Sequence, residues 1–330
     1  MSLNRARAAI GVAKETGDPV AVATNPAYWH GVAPGSAMPR PEVEDVMSDI
    51  STGLGTPALA IREGVTLPTG FTTLSFAKAV GVYLLGVFGD VTTTGEGAVK
   101  THVFEYADDT PYLTFFGNLA GWLQKNGHSK IDELRFEWDG PKPLRMTVTA
   151  QGCDFDLPAE ITVPDPNEIL GEFFTPVGGV FKGSVLTDTP VNWEVLGGAI
   201  ILTRNNEATP YSGSLTPSSI HPMSFTPSVD LTVRESDWDN LRSLITGAAD
   251  GTTLSAVPVY GSVEVGFVNG DTDELTFAAG RAQYAVTFPD SADPNTGGPV
   301  DLALTARVMH TGDDDVSPIT ATLKNGVTAY

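Results

Sequence analysis

The chain has 330 residues, 41% of them hydrophobic, and a mean hydropathy of zero, which excludes a largely disordered protein and leaves room for two domains with cores of their own. Forty acidic residues against nineteen basic give a net charge of −21, the wrong sign for gripping nucleic acid phosphates. A single cysteine, Cys153, excludes an intrachain disulfide and a zinc site of CxxC type, and no run approaches the ~18 to 20 apolar residues of a membrane span.

The first residues carry Arg5 and Arg7 but no apolar stretch adequate for a leader before Lys14 and Glu15, so no secretory signal and cytoplasmic synthesis are expected. Residues 1–57 read as an extended arm. Pro26, Pro34, Pro39 and Pro41 suit such a segment, and periodicity is confined to residues 6–12 and to a possible helical turn at 42–47. An ordered arm needs something to lie on, and a neighbouring subunit is a natural candidate. Ile10, Val12, Lys14 and Glu15 are therefore the candidate inter-subunit contacts.

Next comes a β-rich unit, residues 58–155, whose order of elements returns in residues 229–312. Residues 58–61 and 229–233 open the two copies as strands. Residues 74–88 (LSFAKAVGVYLLGVF) and 238–245 (WDNLRSLI) read as amphipathic helices, each ended by a glycine at its C-terminal cap. Strands follow in parallel order: 101–106 with 262–267, 112–116 with 274–277, 131–138 with 282–288, and 144–149 with 301–308. Between the copies, residues 156–228 form a connecting β segment with loops, in which Gly197-Gly198 marks either a hairpin or a bulge. Residues 313–330 are a tail with three consecutive aspartates. With 35 Gly, 24 Pro and abundant Thr and Val, the expected fold is mainly β: a duplicated β-sandwich or barrel-like domain, each copy with one packed helix.

Within the strands, alternation separates two faces. Leu134, Phe136 and Trp138 oppose Glu133, Arg135 and Glu137; Val263, Val265 and Phe267 oppose Ser262 and Glu264; Leu302, Leu304 and Val308 oppose Asp301, Thr305 and Arg307. Each copy thus has a sheet with one dry and one wet face, and open edges that invite another chain. Units joined edge to edge around an axis would close a ring with a hydrophilic bore.

Catalytic motifs are missing from this pattern. His30, His102, His128, His221 and His310 form neither HExxH nor HxH, the serines lack GxSxG, and the glycines lack GxxxxGK[ST]. Acidic pairs abound, but forty carboxylates make pairs uninformative, and the Asp271 to Glu274 stretch reads as a hairpin turn rather than a calcium loop. Cys153 reads as a small, inert residue at a strand end. No catalytic, cofactor or metal site is expected, and a duplicated unit of this kind is more easily explained as a building block than as an enzyme.

Several segments carry a family resemblance. Residues 9–16 (AIGVAKET), followed by Gly17 and 20–24 (VAVAT), resemble the opening of tail tube proteins from long-tailed bacteriophages with noncontractile tails. Residues 65–89, 101–104 (THVF) and 130–152 are similar to later segments of that family in the same order, whereas Gly17-Asp-Pro replaces a frequent Tyr-Gly-Thr stretch. The resemblance covers most of residues 1–155 and, more loosely, 180–310. It implies a self-assembling virion protein, not an enzyme, that stacks rings into a tail tube conducting double-stranded DNA without binding it specifically, alongside other tail proteins. Such rings are six-fold, built from a β-sandwich with one helix. Two such domains in one chain imply a trimer with pseudo-six-fold symmetry; six chains with one tube domain each and a decorating domain is the competing arrangement. The resemblance also gives the acidic surplus a purpose, a bore that repels DNA, with Glu105, Glu133, Glu137, Glu264 and Asp301 as bore-facing candidates. Other classes remain: a receptor-binding or capsid-decorating virion protein, and a β-sandwich hydrolase acting on polysaccharide.

Overall fold

The computed structural model describes residues 8–16, 21–47, 60–158, 160–163, 172–185, 190–208, 214–235, 238–248, 251–253, 255–270, 272–287, 300–312 and 316–330. It is mainly β, as expected. The expectations placed on residues 1–7, Gly17-Asp-Pro, Asp271 and residues 313–315 lie outside the described residues.

The first half runs β1 (Ala8–Lys14), β2 (Tyr28–Gly31), β3 (Glu42–Met47), β4 (Ala60–Leu74), α1 (Val80–Phe88), β5 (Gly89–Thr94), β6 (Lys100–Tyr106), β7 (Leu113–Leu119), β8 (Trp122–Asp139), β9 (Arg145–Gly152) and β10 (Asp154–Asp156). The second runs β11 (Phe181–Val185), β12 (Val191–Asn192), β13 (Glu194–Thr203), β14 (Thr226–Glu235), α2 (Trp238–Thr246), β15 (Tyr260–Asn269), β16 (Asp273–Thr287), β17 (Val300–Val308) and β18 (Thr320–Asn325).

The antiparallel pairings repeat. In the first half β1 pairs with β2 and β7, β7 with β8, β8 with β9 and β10, and β9 with β4. In the second, β11 pairs with β12 and β15, β15 with β16, β16 with β17 and β18, and β17 with β14. By partner, then, β7 corresponds to β15, and the expected match of residues 101–106 to 262–267 fails. The β5–β6 hairpin has no counterpart in this scheme; it extends the second half by pairing with β18.

Two layers enclose the core. The long layer reads β4-β9-β8-β13-β14-β17-β16 and crosses both halves without interruption. The opposite layer holds β2-β1-β7-β8-β10 of the first half and β12-β11-β15-β16-β18-β6-β5 across the second. β8 and β16 belong to both layers, and each shifts register at its corner, β8 between Ile131 and Glu133 and β16 near Ala279 to Ala282. An extra residue there flips the alternation and bends the strand around the core. Rings meet across the layers, Phe136 with Phe277 at 5.1 Å and Trp138 with Phe267 at 5.0 Å.

α1 is buried along its whole length, with β8, β5, β6 and β1 around it. It starts at Val80 rather than residue 74 because β4 runs on to Leu74. It ends where Gly89 takes φ 99° and donates its N–H to Leu85 O. At Gly81 a Cβ would sit 2.2 Å from the ring of Tyr330, so the last residue of the chain packs on the first helix.

Three expectations are corrected here. Residues 8–14 are not an arm: β1 lies between β2 and β7, and Ile10 and Val12 are wholly buried in the core of this chain. Burying each contributes about 1.5 to 3 kcal/mol, enough to fix the strand in place. Residues 42–47 form a strand because β4 offers them a ladder, not a helical turn. The C-terminal segment is no tail, since β18 joins β16 to β6. As for Gly197-Gly198, it lies inside one continuous strand with a bulge, and at Gly198 a Cβ would meet Asp230 O at 2.4 Å.

Candidate functional site

The long layer turns Leu67, Phe71, Leu134, Phe136, Val148, Ile200, Leu231 and Leu304 inward, so the residues between them form one broad outer face. Register places Thr72, Thr147, Arg135, Ile201, Ser228, Arg307 and Gln283 in one row across seven strands. A parallel row runs Arg145, Glu137, Ala199, Asp230, Thr305 and Ala285. Glu137 accepts from Arg135 at 2.7 Å, and Asp301 accepts two bonds from Arg234 at 2.8 and 3.1 Å. That fork holds the Asp301 carboxyl below the usual range. Asp230 accepts from the Thr305 hydroxyl at 2.8 Å.

Of the five bore-facing candidates, the structure brings three together. Glu133, Glu137 and Asp301 share the outer face of the long layer. Glu105 lies beside Asp90 on the β5–β6 hairpin, and Glu264 pairs with Lys182 at 3.9 Å, both on the outside of the opposite layer. The five therefore cannot line one bore. Nor is the face strongly acidic, because Arg135, Arg145, Arg234 and Arg307 interleave with its carboxylates.

The inter-subunit candidates fare differently. Ile10 and Val12 are spent in the core, and Glu15 is buried against its own chain, accepting from Thr114 Oγ1 and His128 N at 2.7 Å each, with His128 Nδ1 also at 2.7 Å. Lys14 alone of the four is exposed. The histidines do structural work: Nδ1 of His102 lies 2.9 Å from Thr93 Oγ1 and Nε2 lies 3.0 Å from Val327 O, while buried His30 meets Tyr83 OH and burial lowers its pKa to about 4. Burial pushes the Cys153 thiol up to about 11, where it is a poor nucleophile at neutral pH. Among the described residues no group of three or more His, Cys, Asp or Glu is placed to hold a metal, and no helix is long and apolar enough to cross a membrane.

Sequence reasoning missed the joint between the halves. β13 pairs with β8 on one side and β14 on the other, from Thr203↔Glu133 to Gly197↔Asp139. Just beyond its end, buried Arg204 donates from Nε to Val87 O at 2.6 Å and from Nη2 to Phe88 O at 2.6 Å and Ala107 O at 2.8 Å, with Tyr106 and Phe225 stacked against the guanidinium. The segment between the copies thereby caps the helix of the first copy. A lone arginine just after the apolar run at residues 199–202 was the available signal.

No family model and no curated protein matches this chain.

Proposed function

We propose that the chain is a structural virion subunit, a tail tube protein that assembles into stacked rings in the tail of a bacteriophage after synthesis in the host cytoplasm. The long layer carries this reading. Two like-built halves lie head to tail in one unbroken sheet, dry on the core side and polar on the other. A wall for a conduit needs that asymmetry: a core to keep its shape and a wet face that holds onto nothing. The face is rich in threonine, and of its four arginines Arg135 and Arg234 are engaged with carboxylates, so DNA phosphates meet a surface of balanced rather than cationic charge. Both halves contribute to the same sheet, which favours three chains supplying six units over six chains with a decorating half.

Negative-stain microscopy of concentrated protein tests the reading. Rings or tubes with a central bore are expected; a strict monomer across a wide concentration range, also in the presence of purified tail-tip complex, overturns it.

A further inference from the structure

The joint inside the chain shows how one unit accepts the next. The edge of β8 at residues 133–139 is completed by β13, which also flanks β14. At one end of the long layer the corresponding edge has no strand beside it among the described residues. β16 beyond Tyr284 pairs with β17 alone, through Ala285↔Thr305, Val286↔Leu304 and Thr287↔Ala303. At the other end, residues 33–47 run antiparallel along β4 much as β13 runs along β14. Ala33 donates to Thr72 O at 2.7 Å, Ala37 and Gly70 exchange hydrogen bonds, and β3 ladders with residues 60–66.

We propose that the β16 edge of one copy takes up the 33–47 strand of the next copy in antiparallel register, repeating between chains the β8–β13 joint found within one. This rests on the tube reading and names its lateral contact. The two edges differ, so the contact is heterologous and propagates in one rotational sense, closing a ring when the rotation divides the circle. Because the joint between halves and the joint between chains are alike, each chain advances the ring by two near-equal steps. Pro34, Pro39 and Pro41 interrupt the outer strand where β13 is continuous. Prolines withhold N–H donors from an edge, which shortens the ladder and keeps a lone chain from pairing promiscuously before it is recruited.

Cross-linking with a short bismaleimide tests the assignment in a Cys153→Ser background. Pro34→Cys and Ala285→Cys place thiols at exposed positions that this register brings side by side, and Thr287→Cys replaces the second if Ala285→Cys folds poorly by circular dichroism. Cross-strand neighbours lie on the order of 5 Å apart, within reach of the reagent. A mixture of the two single variants should give a covalent dimer, neither alone should, and the double variant should give a ladder ending at three chains. Dimers of Ala285→Cys alone would mean like edges meeting and would overturn the proposal. Rings seen by microscopy without the mixed cross-link would overturn the edge assignment while leaving the tube reading intact; failure to assemble at all would remove both.

Discussion

A buried guanidinium is stabilised only where its donors meet acceptors, and Arg204 finds three carbonyls at the C-terminal end of α1 and just past β6. Removing it takes this donor from Val87 O and Ala107 O in a dry site, while Phe88 O keeps the Ala107 N–H. Arg204→Met should therefore lower unfolding free energy by about 3 kcal/mol, and Arg204→Lys by less, since an ammonium keeps the charge but not the planar fork. Urea denaturation of the three proteins reads the order directly; equal midpoints would show that the clasp contributes nothing. His30 offers a second test at this scale. Its folded pKa of about 4 lies below the unfolded value near 6.5, so the unfolded chain binds more protons between those limits. Stability from this group is intact above pH 6.5 and falls as pH drops toward 4, by about 3 kcal/mol in all. Melting temperatures at pH 7, 5.5 and 4.5 should decline more steeply for the wild type than for His30→Gln, and parallel profiles would count against the assignment.

At the scale of elements, alternation was legible wherever one face of a strand is wet. Residues 131–138, 144–149 and 301–308 show it, and they fall in the second half of β8, in β9 and in β17, interior strands of the long layer. β1 hid itself for the opposite reason. Residues 9–13 are all buried, so a short run of small and apolar residues shows no alternation and reads as irregular. The first half of β8 hid behind polar letters: Asn126 and Ser129 are buried there, with Asn126 Nδ2 donating to Leu67 O and Thr69 Oγ1 and the Ser129 hydroxyl donating to the backbone of the strand itself. Periodicity also reports in from out without saying which layer a strand joins. That is why Glu105 and Glu264 were grouped with Glu133, Glu137 and Asp301 although they face the other way. The placement of β1 changes what a truncation should do. Deleting residues 1–30 removes the strand between β2 and β7 and most of β2 itself, opening the core around Phe115. Such a protein should lose its cooperative thermal transition rather than remain folded and merely fail to stack. A truncated chain with a native-like melt would return β1 to the role of a detachable arm.

For the whole molecule, charge and geometry pull against each other. The outer face of the long layer mixes arginines with carboxylates, so most of the surplus of −21 lies elsewhere on the chain, where it repels neighbouring copies rather than passing DNA. The proposed lateral contact is a backbone ladder closed by edges, with few ion pairs to lose to salt. Repulsion between acidic chains is screened once ionic strength shortens the Debye length to about 10 Å at 0.1 M, while hydrogen bonds and buried apolar surface persist. Ring formation, followed by light scattering or sedimentation, should therefore rise as salt is raised from about 20 mM to about 500 mM. An interface held mainly by salt bridges would show the reverse, with rings dissolving as salt is added. That outcome would shift the contact from strand edges to charged surfaces such as the Lys182–Glu264 and Lys324–Glu274 pairs on the opposite layer.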